Sequence, residues 1–232
     1  MPGTVPAASN LPKSLTYTIV PPPHSQIASN ILILLHSLGD THESFAALAA
    51  HLALPETLCI SLRAPNYMPL NLPGFQWGAD ILLTSTGTLS LDAKFTNAGT
   101  KSLARLVDTL TELGWKPREI SFFGWGQGGM CALDFLASRL DTEFGGLVSV
   151  GGPIGSETKV EVKDGKKGVT PVILLGGNRK SLVTKEAEEK LKNCFKDVEV
   201  VRWKREGDAM MKDKDEVTPI MKWVFLSWFF DL

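Results

Sequence analysis

The sequence predicts an α/β fold with a mostly parallel sheet, and three observations carry that expectation. From residue 31 onward short apolar runs alternate with helical patterns, no second composition regime or internal repeat interrupts them, and 232 residues with 44% hydrophobic content suffice for one domain with a sizeable core.

The elements follow in chain order. The opening MPGTVPAASNLPK (1–13) lacks the basic and apolar regions of a secretion signal and reads as a short disordered lead, leaving 14–232 as a single domain. LTYTIV (15–20) alternates as a strand does, and Pro21-Pro22-Pro23 behind it cannot extend a ladder, so it is expected at a sheet edge. Then come ILILLH (31–36), a helix near 42–53, TLCISL (57–62), a helix near 98–113, ISFFGW (120–125), a helix from about 128 to 140, GLVSVGG (146–152), PVILLGG (171–177), a helix near 184–195, VEVVRW (198–203) and a last helix from about 217.

Leu103, Leu106, Val107 and Leu110 share one helical face, as do Ala187, Leu191, Cys194 and Phe195, so both helices are expected to cover the sheet with a single stripe. The segment 128–140 is apolar on nearly all sides, with Asp134 the only charge before Arg139, and is expected to be a buried central helix. Two connections exceed the usual α/β length. The stretch 63–95, with RAPNYMPLNLPGFQWGAD, is aromatic and Pro-rich and suits a pocket wall; 153–170 is charged and suits a solvated loop.

Charge narrows the partners. Lys+Arg 24 against Asp+Glu 25 leaves no positive surplus to neutralise phosphates, so a nucleic-acid footprint is not expected. The longest aliphatic run, Ile31 to Leu35, is far short of the roughly 20 residues of a membrane span. Cys59, Cys131 and Cys194 sit in apolar stretches without a C-x-x-C pair, which suits core thiols in a reducing, cytoplasmic setting. The near-uniformly apolar IMKWVFLSWFFDL (220–232) suggests a terminal helix packed on the sheet, with excess apolar surface for a covered edge, a homodimer contact or a partner surface.

The richest local signal is ISFFGWGQGGMCALDFLA (120–137), a strand turning sharply into a helix through glycines 124, 126, 128 and 129. Gly124, Gly126 and Gly129 satisfy G-x-G-x-x-G, yet the next strand ends in Val150-Gly151-Gly152-Pro153, where a ribose-binding acid is required, so no dinucleotide cofactor is expected. The alternative is a nucleophile elbow, G-x-S-x-G, whose central position is here Gly126. His36, Asp40, His42 and Glu43 follow no standard metal spacing and are expected to build a structured loop.

Four segments carry a family resemblance. HSLGDTHESF (36–45) resembles an HGLGDT loop, RAP (63–65) with Pro69 and Asn71 a Pro-rich substrate loop, GWGQGG (124–129) a GFSQGG elbow, and SVGGPI (149–154) the strand end after that elbow. Together they resemble the phospholipase/carboxylesterase branch of the α/β-hydrolases, which includes the acyl-protein thioesterases. The resemblance implies an α/β-hydrolase fold and acyl esters or thioesters as substrates.

It also implies where a catalytic triad would lie. The nucleophile falls on Gly126; the acid turn HGxxDxxVP resembles GGNRKSLVT (176–184) and places Lys180 at the acid; the histidine turn falls in REGDAMM (205–211), near Met210. In this fold the order is nucleophile, acid, histidine, yet the four histidines are His24, His36, His42 and His51. A conventional Ser-Asp-His triad is therefore not expected, and a pseudoenzyme that binds an acyl ester or thioester-like molecule or a protein partner is.

The backbone N–H groups of Leu38 and Gln127 remain as an oxyanion-hole-like framework, with His36, Phe75, Trp77 and Trp125 expected to line the groove. The alternative is an active hydrolase with a non-standard nucleophile, Ser37 or Ser181, the latter beside Lys180 as base.

Overall fold

The structure is a computed structural model that describes residues 5–7, 9–78, 82–83, 89–90, 98–155, 158 and 166–229, with the backbone alone at residues 25, 82–83, 89–90 and 225–229. Seven strands form one sheet: β1 (Tyr17–Val20), β2 (Asn30–Leu35), β3 (Thr57–Leu62), β4 (Ile120–Trp125), β5 (Gly146–Val150), β6 (Val172–Gly177) and β7 (Val198–Trp203). Their order is β1-β3-β2-β4-β5-β6-β7, and only β1, at the edge before the proline run, is antiparallel.

Alternation along the strands divides the core. Ile31, Ile33 and Leu35 of β2 pack with Leu103, Leu106, Cys131 and Leu191 on one face; Leu32 and Leu34 pack with Phe45, Ala49, Ile220 and Trp223 on the other. The helices are thus α2 (Ala98–Glu112), α3 (Gln127–Ala137) and α4 (Lys185–Cys194) on the first face, α1 (His42–Leu52) and α5 (Lys214–Phe229) on the second. Sheets buried on both faces need near-continuous apolar strands, which is why ILILL and VILLGG are legible as strands. The expected single stripes of α2 and α4 and the all-round burial of α3 are all present.

Three expectations need correction. Within the stretch expected to be a disordered lead, Leu11 is only 3% exposed and joins the first core cluster, so order begins before residue 14. The central helix spans 127–137, because the Ser138 N–H closes onto Asp134 and Phe135 carbonyls and the chain turns there. The last helix starts at Lys214, before the expected 217, since the Asp213 carboxylate accepts the Glu216 N–H at 3.1 Å and caps it.

Half of the charged stretch 153–170, residues 79–81, 84–88 and 91–97, and the side chains of Phe225, Trp228, Phe229 and Phe230 lie outside the described residues. Among the described residues no helix is long and apolar enough to cross a membrane.

Candidate functional site

The strand order reverses direction at the centre of the sheet: the chain leaves β2 toward β3 on one side and β4 toward β5 on the other. The crevice beyond the carboxyl ends of such neighbours is where open α/β sheets bind ligands. Here it receives the 36–41 loop from β2 and the 124–129 turn from β4.

The turn has the shape of an elbow. Gly126, at φ 51° and ψ −119°, caps α3 in a conformation that L side chains rarely adopt. Its glycine neighbours are required by contact. A Cβ on Gly124 would lie 2.5 Å from the Gly129 nitrogen, and one on Gly128 would lie 2.3 Å from the Leu35 carbonyl oxygen, so helix and strands meet backbone to backbone. The dinucleotide-like spacing is thus accounted for by packing. Two positions first meet serine hydroxyls: a Cβ on Gly129 would lie 2.2 Å from the Ser149 hydroxyl of β5, and one on Gly126 would lie 2.5 Å from the Ser37 hydroxyl of the loop after β2.

Gln127 opens α3, so its N–H has no carbonyl one turn back to receive it, and the positive end of the helix faces the crevice. Its side chain is engaged elsewhere: the Gln127 Oε1 accepts the Trp77 N–H at 2.7 Å. Leu38 lies in the loop after β2, and that loop is pinned by Gly39 N–H donating to the Phe75 carbonyl and Phe75 N–H donating to that of Asp40. Asp40 in turn accepts from the Thr41 N–H and the Ser44 hydroxyl, which ties down the start of α1.

The four residues expected to line the groove divide into two kinds. His36 and Trp77 are completely buried and act as struts: His36 Nδ1 lies 2.7 Å from the Ser37 carbonyl, His36 Nε2 accepts the Ala64 N–H at 3.0 Å, and the Trp77 indole donates to the His36 carbonyl. Those contacts make Nδ1 the protonated nitrogen, and burial, the largest influence, holds the His36 pKa below its ordinary 6.5. With both nitrogens used and no exposed surface, neither residue is a wall. Phe75 and Trp125 are half-buried and do reach the surface. Phe75 stacks beneath the Arg63 guanidinium at 4.4 Å and beside Tyr67, and the exposed Tyr67 (72%), Leu70 (78%) and Leu72 continue an apolar rim.

The opposite side of the site is built by the loops after β6 and β7, and its organising residue, Asp208, was not singled out from the sequence. Asp208 Oδ1 accepts from the Ser181 hydroxyl at 2.6 Å and the Gly177 N–H at 3.1 Å; its Oδ2 accepts the Leu182 N–H at 2.7 Å. Its carbonyl accepts the Trp125 indole N–H at 2.8 Å, joining this wall to the elbow strand. The backbones are tied as well, by Asn178 N–H to the Arg205 carbonyl and Gly207 N–H to that of Arg179. The one signal for it in the sequence was the placing of Ser181 and Asp208 in two turns that the family resemblance brings together.

Lys180, which the sequence resemblance would put at the acid, has a left-handed backbone, is 80% exposed and pairs with Glu206 at 2.8 Å. Met210, which the sequence resemblance would put near the histidine, is half-buried against the second core cluster. Arg205 holds this turn: it stacks on Trp203, chelates the Glu216 carboxylate at 2.7 and 3.1 Å, and donates to the Ala209 and Met210 carbonyls. Ser181 faces Asp208 and not Lys180, so the Ser–Lys arrangement is not formed.

The histidines lie apart from this wall. His24 is exposed in the turn after β1, His51 ends α1 beside the Ala47 carbonyl, and His42 is buried at the start of α1, where its carbonyl accepts the Ser61 hydroxyl. The cysteines are free and buried; burial pushes the Cys59 thiol up to about 12 and that of Cys131 higher still, so neither is a ready nucleophile.

Parallel sheet, elbow and crevice define an α/β-hydrolase fold. The sequence profile of the phospholipase/carboxylesterase family matches residues 17–223, and the chain belongs to that family. It is 34% identical over 188 residues to an uncharacterized hydrolase of Schizosaccharomyces pombe, covering 78% of this chain and 76% of that protein. Similar folds include esterase PE8 (TM-score 0.72, 21% identity, 90% of this chain and 99% of that one) and Zea mays acyl-protein thioesterase 2 (TM-score 0.68, 20% identity, 92% and 99%).

Proposed function

We propose that this phospholipase/carboxylesterase-family protein binds an acyl ester or thioester-like group, or a protein segment, in its crevice without hydrolysing it. The observation that carries this reading is the position of the histidines, all at or before residue 51, together with Gly126, Lys180 and Met210 where the family resemblance puts nucleophile, acid and base. Ester hydrolysis by this fold needs an imidazole to take the proton of the nucleophile and return it to the leaving group. Removal of one triad member costs on the order of 10⁴ to 10⁶ in rate.

What supports retained binding is the framework. The elbow, the N–H of Gln127 at the positive end of α3 and the pinned Leu38 loop would receive a carbonyl or carboxylate oxygen. Phe75, Trp125 and the Tyr67–Leu72 rim would cover apolar substituents. A cytoplasmic setting fits the three free thiols. The reading is tested with a fluorophosphonate probe followed by intact mass: no adduct is expected. A stoichiometric adduct on Ser37 or Ser181 would instead establish an active hydrolase with a non-standard nucleophile.

A further inference from the structure

Position 126 is the glycine of the elbow whose missing side chain is answered by side-chain atoms alone, those of Ser37 in the neighbouring loop, with no main-chain atom in the way. The Ser37 Oγ lies 2.5 Å from where a Cβ on residue 126 would stand, and the Ser37 Cβ lies at an ordinary 3.6 Å, so the conflict belongs to the hydroxyl alone. No non-bonded heavy atom tolerates a Cβ at 2.5 Å; one of the two must move.

We propose that Ser37 is the gate residue of the elbow: its hydroxyl occupies the volume that a side chain at 126 requires, so the turn can carry a side chain there only when the residue-37 hydroxyl turns away or is absent. The surroundings fix both backbones. His36 on one side of Ser37 is locked by both ring nitrogens, the Ser37 carbonyl is engaged by His36 Nδ1 and receives the Asp40 N–H at 3.2 Å, and the elbow is held by Gly126 N–H donating to Val150 and Met130 N–H donating to Gly126. Neither backbone can retreat without breaking these bonds, which leaves a rotation of the Ser37 side chain as the only cheap response.

The proposal deepens the non-hydrolytic reading of the same site, because it makes that state a matter of occupancy as well as of absent groups. Its test does not depend on turnover. Gly126→Ala, Ser37→Ala and the double variant are unfolded thermally beside the wild type. The strain of placing a Cβ at φ 51° is common to both backgrounds and cancels in the cycle. Gly126→Ala is expected to lower the midpoint by about 3 °C more when Ser37 is intact than in the Ser37→Ala background.

Folding of the double variant where Gly126→Ala alone does not fold is the same result in stronger form. Additive shifts, or failure of both to fold, would assign the glycine to backbone conformation alone and overturn the gate. Ester hydrolysis by the wild type would overturn the non-hydrolytic reading while leaving the coupling to decide this one.

Discussion

The elbow wall of the crevice is held by backbones in mutual contact, whereas the wall formed by the loops after β6 and β7 is held by side chains. At the elbow, Gly124 and Gly128 let α3 approach β4 and β2 so closely that any added Cβ would collide with main-chain atoms. Across the crevice, one carboxylate, Asp208, gathers Ser181, Gly177 and Leu182, and Arg205 fastens the same turn to Glu216. Backbone packing tolerates few substitutions, so the first wall keeps a recognisable motif. Side-chain ties can be rebuilt with other residues, so the second wall is held by partners that no short motif announces.

The sharpest break between the walls is a methyl group. Gly128→Ala places a Cβ 2.3 Å from the Leu35 carbonyl and 2.6 Å from that of His36 and is expected to cost about 3 kcal/mol, read as a fall in urea midpoint. Asp208→Ala leaves two backbone donors and a hydroxyl without their acceptor. With part of the cluster open to solvent, it is expected to cost about 2 kcal/mol. A change in Trp125 fluorescence accompanies it if the tie between the walls loosens.

Acid separates the two walls by pH. His36 is held below its ordinary 6.5 by burial, so the unfolded chain takes up a proton that the folded one refuses, and stability falls as pH drops from about 6.5 toward the folded value. Glu216 is held below its ordinary 4.5, first by its hydrogen bond from Arg205, so its contribution is present above that pH and is lost as pH falls through the lower folded value. The elbow wall is expected to weaken first. His36→Asn should reduce the slope of the stability profile just below pH 6.5, where His42 is also held low by burial, and Glu216→Gln should reduce it only below pH 4.5. Lys180→Ala, which removes an exposed pair with Glu206, is expected to change stability by no more than about 0.5 kcal/mol.

This contrast also explains what was legible from the sequence. Every strand of the sheet was readable within a residue or two, the five inner ones because strands buried on both faces must be apolar runs and the half-buried edge strands β1 and β7 from their shorter apolar patterns, and the elbow was readable because its glycines are forced. The roles of Asp208, Arg205 and Glu216 were not, since a charged residue in a turn looks solvated until its partners from other loops are known. His36 and Trp77 were expected at the groove surface; aromatic residues beside a site look alike whether they face the crevice or support it, and only their hydrogen bonds show them to be struts.

Whether the crevice binds without turnover is decided most directly by the hydrolysis of a short-chain p-nitrophenyl ester and a palmitoyl thioester by the purified protein, measured beside Gly126→Ala. Rates at the uncatalysed background are expected for both proteins. Turnover by the wild type that the Gly126→Ala change abolishes would contradict the non-hydrolytic reading and show that the elbow still organises catalysis.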